Sequence, residues 1–238
     1  MTENGTLYLI PTTLGDTGET ADVIPVKVNQ IIDSIDEYIV ENEKTARAYL
    51  KKIGIKKSLQ EIVLHTLNQH TEPNEILGYL NSIFLGKNIG IISEAGCPGV
   101  ADPGAEVVKS AHEKNIKVVP LVGPSSILLA LMASGFNGQS FTFHGYLPKE
   151  RSERIKKIKE LEKTAQQKNQ TQLFIETPYR NTHLLEDILA GCDGRTPLCI
   201  ACDITLPTEF IKTKSVSEWK KQITDINKRP AIFLLYKY

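Results

Sequence analysis

Three loops in this chain carry the residue types best suited to hold a polar ligand, and each follows a short apolar run. The longest reads Ser93-Glu94-Ala95-Gly96-Cys97-Pro98-Gly99-Val100-Ala101-Asp102-Pro103-Gly104 and leaves the run NIGIIS. Its glycines permit close backbone approach and its prolines restrict its path. Ser93, Glu94 and Asp102 add polar groups. In open α/β sheets, ligands bind outside the carboxyl ends of the strands. An ordinary strand-to-helix connection is the competing reading, and loop length and composition favour binding over it. The second loop is Val122-Gly123-Pro124-Ser125-Ser126, where Ser125 or Ser126 can cap a helix. Free amides at that helix start suit a polar ligand, or the serine is a good cap and nothing more. The third, Pro11-Thr12-Thr13-Leu14-Gly15-Asp16, contains neither GxGxxG nor GxxxxGK[ST] and so gives no support to a dinucleotide site or a P-loop. The three loops gain weight together, because all follow strands and can converge on one rim.

Other residues capable of chemistry weigh less. Cys199 and Cys202 spell CxxC, but CIACDI reads as a strand, where positions three apart face opposite sides. Cys97 and Cys192 supply no second pair, so buried structural cysteines are favoured and no metal site is expected. His65, Asn68 and His70 lie near a strand end, where loop polarity is favoured over a catalytic base. His144 ends a strand beside Gly145 and can face a cleft. Basic residues cluster at Lys51, Lys52, Lys56 and Lys57, and along Lys149–Lys168. Such runs are usually solvated helix faces; here they are the sole electrostatic hint of RNA contact.

The elements that position these loops follow from periodicity. Strands are expected at Thr6–Ile10, Tyr38–Val40, Ile62–His65, Asn88–Ser93 and Lys117–Val122. Helices are expected at Val26–Ser34, Thr45–Lys52, Pro73–Phe84, Ala105–Lys114 and Ser125–Ser134. Strands alternating with helices require crossovers, which favour a largely parallel sheet. The second half differs. Strands at Phe141–His144, Leu173–Glu176, Leu198–Asp203, Phe210–Thr213 and Ile232–Tyr236 accompany helices at Lys149–Lys168, Tyr179–Leu189 and Ser217–Ile223. Sequential strands near the end predict a mixed sheet with antiparallel pairs. Ile155, Ile158, Leu161 and Ala165 form the apolar stripe of the long charged helix, and Ser215 with Glu218 fits a capping box. The expected organisation is α/β, with one domain over residues 1–121 and a second over 122–238.

Bulk composition sets the frame. The 238 residues are 41% hydrophobic and 24% charged, as in a soluble globular protein. Lys+Arg and Asp+Glu both number 28, so binding to nucleic acid must come from local patches. No apolar run is long enough to cross a bilayer. The start MTENGTLYLIP lacks the pattern of a signal peptide, and four cysteines are no disulfide framework. A reducing cytoplasm is the expected location, with no membrane association.

SEAGCPGVADPG followed by VVPLVGPSS and an apolar helix resembles the SDAGTP…SDPG and PGPS elements of the ribosomal-RNA ribose methyltransferase branch of the tetrapyrrole methylase superfamily. GTLYLIPTTLG is similar to that branch's strand followed by TPIGN. FHGYLPKERSERIKKIKEL resembles its FLPRK segment, and FIETPYRNTHLLEDI its ESPHR segment. The match runs in order through most of the chain. It implies two α/β domains with S-adenosylmethionine in the cleft between them, and a homodimer. It also implies site residues. Pro11 and Gly15 would lie beside the methionine end of the cofactor. Glu94, Ala95 and Gly96 would line its pocket, with Val100 and Asp102 nearby. Gly123, Pro124 and Ser125 would close another wall. Glu176, Pro178 and Arg180 would belong to the second domain's face, with Arg180, Glu43 and Lys44 toward substrate. The departures concern the substrate elements. The branch's AEDTR falls at Val40-Glu41-Asn42-Glu43-Lys44, and a Lys does not copy the bidentate grip of an Arg. Asp16 stands at the Asn of TPIGN. Leu64-His65-Thr66-Leu67-Asn68-Gln69 keeps only His65 and Asn68 of a YHEHNE-like element.

The resemblance implies methyl transfer to a ribose 2′-hydroxyl of small-subunit ribosomal RNA, with ribosomal RNA or the small subunit as partner. Glu94, Glu43 and Lys44 are candidates to take the hydroxyl proton. Two rivals stand beside it. One is methylation of a small molecule such as a tetrapyrrole, which needs no basic patch. The other is a cofactor-binding relative without catalysis, motivated by the altered AEDTR-like element.

Overall fold

The computed structural model describes residues 4–68, 70–222 and 224–237. Gln69, in the segment similar to YHEHNE, and Ile223, the expected end of the last helix, lie outside the described residues, as do the first three residues of the N-terminal stretch. The chain forms two compact units, Met1–Ser125 and Ser126–Tyr238.

The first unit is a five-stranded parallel sheet of β1 (Thr6–Ile10), β2 (Glu37–Val40), β3 (Val63–Thr66), β4 (Ile89–Ile92) and β5 (Lys117–Pro120), in the order β3-β2-β4-β1-β5. Its helices are α1 (Val26–Ile32), α2 (Glu43–Lys52), α3 (Pro73–Tyr79) and α4 (Gly104–Glu113). Strand alternation sends Ile10, Tyr38, Val40 and Ile92 to the face covered by α1 and α2. Leu7, Ile39, Ile89 and Ile91 go to the face covered by α3 and α4. Both faces are therefore covered, as a parallel sheet requires. The helix expected over Pro73–Phe84 breaks into α3 and a short 3-10 helix, Asn81–Leu85. Leu80 and Ile83 are both buried, and the tighter winding stacks residues three apart on one side.

The strand order has one functional consequence. From β1 the chain crosses β4 to reach β2, and from β4 it crosses β1 to reach β5, on opposite faces. β1 and β4 are neighbours whose connections diverge. That is a topological switch point, and it opens a crevice between the loops that follow these two strands.

The second unit is a mixed sheet in the order β6-β7-β10-β8-β9, from β6 (Phe141–Tyr146), β7 (Thr171–Ile175), β8 (Pro197–Cys202), β9 (Phe210–Ser215) and β10 (Ala231–Leu235). Only β6 and β7 pair in parallel; the other neighbours are antiparallel. α6 (Arg151–Lys168), α7 (Asn181–Gly191) and α8 (Val216–Lys221) cover one face, over Phe174, Phe233, Leu198 and Ile200. α5 (Ser126–Ser134) packs against β9 and β10. The capping box of α8 is present, with Ser215 Oγ accepting from the Glu218 amide and Glu218 accepting from the Ser215 amide. The stripe on α6 differs in one member. Arg154 is buried and Ile155 only half-buried, because Arg154 pairs with the buried Asp187 of α7 at 2.6 Å. Cys202 lies in the main core and Cys199 on the other side of β8, so the CxxC pair is split by the strand. Burial pushes the thiols of Cys199 and Cys202 up to about 11 and about 12.

Candidate functional site

The crevice predicted by the strand order is a cavity of about 650 Å3 in the first unit, within the common range of about 300–1,000 Å3 for ligand pockets. Thr12, Thr13, Leu14, Gly15 and Asp16 line it after β1, and Ser93, Glu94 and Ala95 after β4. Asn42, the cap of α2, and Lys44, Thr45, Tyr49 and Lys52 of the helix itself supply another wall.

Hydrogen bonds tie these walls together. The Thr12 amide donates to the Gly96 carbonyl at 2.9 Å, and Thr12 Oγ1 donates to the Ser93 carbonyl. The buried Tyr49 hydroxyl donates to the Pro11 carbonyl at 2.6 Å. Lys52 Nζ donates to the Asp16 carbonyl at 2.7 Å. Asn42 caps α2, its side chain accepting from the Lys44 and Thr45 amides. Thr45 Oγ1 donates to Glu94 Oε1 at 2.6 Å, and the Glu94 amide donates to Glu41 Oε1 at 3.2 Å. Thr45 of α2 therefore holds the side chain of Glu94, and Glu41, just before the helix, holds its backbone.

Two glycines make the loops' close approach possible. Gly96 has φ +74, and an added Cβ would meet the Pro124 carbonyl oxygen at 3.4 Å. Gly123 packs directly on Pro11, where a Cβ would fall 2.2 Å from the proline ring.

Ser93 is 7% exposed and lines the cavity, and its Oγ has no hydrogen-bond partner among the described residues. Leaving a buried hydroxyl unpaired costs about 1–3 kcal/mol. A polar ligand in the cavity removes that cost. The walls also carry charge of both signs, from Glu94 and Asp16 against Lys44 and Lys52. This donor set fits a zwitterionic nucleoside with an extra positive centre, as S-adenosylmethionine is.

The expected site residues divide into groups. Gly15, Glu94, Ala95 and Lys44 line the cavity. Pro11, Gly96, Gly123 and Pro124 sit behind it as packing and backbone partners, with Pro124 accepting from Cys97 Sγ. Asp102 shapes its own loop, its carboxylate accepting from the Gly99 and Gly104 amides. Val100 is exposed, and Ser125 closes the first unit half-buried. Glu43 pairs with Arg47 on the outside of α2 and is not among the lining residues. In the second unit, Glu176 is buried and accepts from Arg180 at 2.5 Å and from the Thr177 amide at 2.6 Å. The pair rigidifies the turn that carries Pro178.

Thr45, Tyr49 and Lys52 were not singled out for this site by sequence. Their spacing on α2 is that of one helix face, but only the tertiary fold shows which wall that face meets. His65 stacks on Tyr79 and lies 3.6 Å from Glu37, and His144 meets Gln172 at 2.7 Å. Lys56 and Lys57 pair with Asp33 and Asp36, which reduces that basic cluster.

Burial holds the Glu41 carboxyl above its ordinary value of 4.5, and the nearby Asp102 and Glu94 charges add to the rise. A raised acid pKa makes ionisation cost folding stability. That cost is absent below the unfolded value, grows as pH rises toward the folded value, and is complete above it. Glu41→Gln keeps an acceptor for the Glu94 amide without the charge. Its melting temperature relative to the parent is expected to rise between pH 4 and pH 7. A pH-independent difference would contradict this account.

The profile of the family described as Tetrapyrrole (Corrin/Porphyrin) Methylases matches residues 6–219. The chain is 29% identical over 248 residues to Ribosomal RNA small subunit methyltransferase I of Vibrio cholerae serotype O1, covering 100% of this chain and 82% of that protein. The protein of that name from Escherichia coli O157:H7 is 30% identical, over 97% of this chain and 77% of its own length. Among solved structures, the methyltransferase CobJ superposes with a TM-score of 0.64 at 15% identity, covering 98% of this chain and 94% of that one. Cobalt precorrin-4 methyltransferase, CbiF, gives 0.62 at 16%, covering 97% and 94%. At such identities these two speak for the fold alone.

Proposed function

The chain belongs to the tetrapyrrole methylase family and is an S-adenosylmethionine-dependent methyltransferase, and on that premise we propose that it methylates a ribose 2′-hydroxyl of small-subunit ribosomal RNA. The substrate is supported by the relatives named Ribosomal RNA small subunit methyltransferase I, two of which align with nearly the whole chain. The observation that carries the site is the unpartnered, buried Ser93 hydroxyl in the switch-point cavity.

In this reading the cofactor contacts Gly15, Glu94 and Ala95 on the cavity wall, against the backing of Pro11, Gly96, Gly123 and Pro124. Val100, Asp102 and Ser125 hold the flanking loops. Lys44 and Arg180 are assigned to substrate. Glu43 has a weaker case, since Arg47 engages it. S-adenosylmethionine supplies a methyl group on a sulfonium sulfur, a good leaving group, so the protein's task is mainly alignment. Glu94 presents one carboxylate oxygen to Thr45 and keeps the other to accept the substrate hydroxyl proton. Tyr49 and Thr12 hold the β1 loop to α2 and to the β4 loop, so the cavity needs little rearrangement to bind.

A homodimer and a cytoplasmic setting complete the proposal. In its favour, α5 exposes Leu128 and Met132, the latter 78% exposed. No helix among the described residues is long and apolar enough to cross a membrane. Light scattering on the purified protein tests the dimer, and a monomer mass would remove it.

The decisive experiment is a titration with S-adenosylmethionine followed by labelled-methyl transfer to unmodified small ribosomal subunits. Label in a ribose of the RNA is expected. Cofactor binding with no transfer to RNA would move the substrate to a small molecule or leave a silent relative.

A further inference from the structure

An exposed tyrosine in the second unit is built into a rigid, cationic frame. Tyr179 lies in the short 3-10 turn Pro178–Arg180 and is 74% exposed. Lys228 Nζ stands 5.9 Å from the centre of its ring. A large aromatic side chain left in water with a cation beside its face has no role in the core, since the main cluster of this unit forms without it.

The frame holds both residues in place. The Lys228 amide donates to the Pro178 carbonyl at 3.0 Å, joining the two turns. Asn181, fully buried, donates from Nδ2 to the Arg229 carbonyl at 2.6 Å. Arg229 is fixed in turn by Asp203 at 2.8 Å and by the Thr208 carbonyl at 2.6 Å. Between these anchors Lys228 has φ +58, a left-handed conformation uncommon for a residue with a Cβ. The turn carries this long cationic side chain over an exposed ring.

Next in the chain, the Arg180 guanidinium is held by Glu176 and by Thr177 Oγ1, with about a third of its side chain exposed. The charges are unequal in availability. Arg180 and Arg229 are matched by Glu176 and Asp203, whereas Lys228 has no carboxylate partner among the described residues. The Asp225 carboxylate accepts from the Asn227 amide in the same turn.

A solvent-exposed ring with a cation poised near it has the chemistry of a single-strand nucleic-acid platform: a base stacks on the ring and a flanking phosphate meets the cation. We propose that Tyr179 and Lys228 form a docking platform for an unpaired nucleotide of the RNA substrate. The platform rests on the reading that the substrate is RNA. It deepens that reading by naming a residue pair of the second unit that contacts the RNA.

The test uses the full chain, a single-stranded RNA oligonucleotide for binding, and unmodified small ribosomal subunits for transfer. Tyr179→Ala is expected to weaken RNA binding, and to raise KM for the subunits, by about tenfold, the scale of losing one base–aromatic stack. Tyr179→Phe keeps the ring and is expected to stay within about twofold, since stacking uses the ring face rather than the hydroxyl. Lys228→Ala is expected to flatten the dependence of log affinity on log salt by about one unit. S-adenosylmethionine affinity should stay at the parent value in all three. Because the ring is exposed, these variants should melt with the parent protein. If the parent methylates subunits and Tyr179→Ala matches it in KM and RNA affinity, the platform is wrong and the RNA reading survives. Loss of cofactor affinity in Tyr179→Ala would also overturn it, by placing the ring in the cofactor site. A parent protein that neither binds nor methylates RNA overturns both.

Discussion

Replacing Gly123 with alanine is expected to raise the dissociation constant for S-adenosylmethionine roughly ten- to a hundredfold. The added Cβ would fall 2.2 Å from Pro11 Cβ and 2.4 Å from its Cγ. Those atoms belong to a closed ring with fixed φ, so they cannot swing aside as the end of a long side chain would. The loop after β5 or the loop after β1 must move. Overpacking of this kind costs about 1–3 kcal/mol, and each 1.4 kcal/mol is about tenfold in affinity when the displaced atoms form the binding surface. Pro11 is also the acceptor for Tyr49, so its displacement strains the contact between α2 and the β1 loop. Calorimetric titration reads the affinity directly. Gly78→Ala is the matched control. It lies in α3 with open space around the new methyl, and alanine there should be neutral or slightly stabilising. Parent-like affinity in Gly123→Ala would show that this contact does not support the cofactor site.

Asp187→Ala should destabilise the second unit by about 3–5 kcal/mol, the usual cost of leaving one partner of a buried ion pair behind. Asp187 is almost fully buried on α7 and receives Arg154 Nε at 2.8 Å and Nη2 at 2.6 Å, with Arg151 Nε at 2.9 Å. Without the carboxylate, the Arg154 guanidinium keeps only the Pro148 and Lys149 carbonyls. Removing both charges, as in Arg154→Met with Asp187→Leu, should recover most of the loss, because a packed apolar pair needs no desolvation of ions. The two units need not unfold together, so a single global transition is the wrong readout. Trp219 is the chain's single tryptophan and is fully buried in this unit's core, with its indole N–H bonded to the Leu198 carbonyl. Its fluorescence during denaturant unfolding follows the second unit alone. An unshifted midpoint in Asp187→Ala would mean that α6 and α7 do not depend on the pair.

Much of the local structure is legible in the chain because its causes are local. Apolar alternation marks β1, β2 and β4. Helical spacing marks α1 and α2, and the Ser215–Glu218 box marks the start of α8. The loops at Pro11–Asp16 and Ser93–Gly104 stand out by glycine, proline and polar content. Their ability to bind follows from chain flexibility and available polar groups, which are properties of composition. Where structure departs from local pattern, a distant partner is responsible. Arg154 looks like one more cation on a charged helix until Asp187, 33 residues on, is seen to bury it. Lys56 and Lys57 look like half of a basic cluster until Asp33 and Asp36 pair with them.

By itself the sequence determined the family, the alternation of strands and helices in the first half, the mixed sheet of the second, and which loops hold ligand-binding residue types. These rest on neighbours in the chain and on a match running through most of it. Only the tertiary structure decided that β1 lies beside β4, which places Thr12 against Ser93 across 81 residues and opens the cavity there. It alone decided that the Ser93 hydroxyl has no partner among the described residues, that Tyr49 reaches Pro11, and that Lys228 is bent over Tyr179. The reason is physical: strand order and hydrogen-bond satisfaction depend on the whole packed chain, and no local periodicity encodes which distant atom a buried donor will meet.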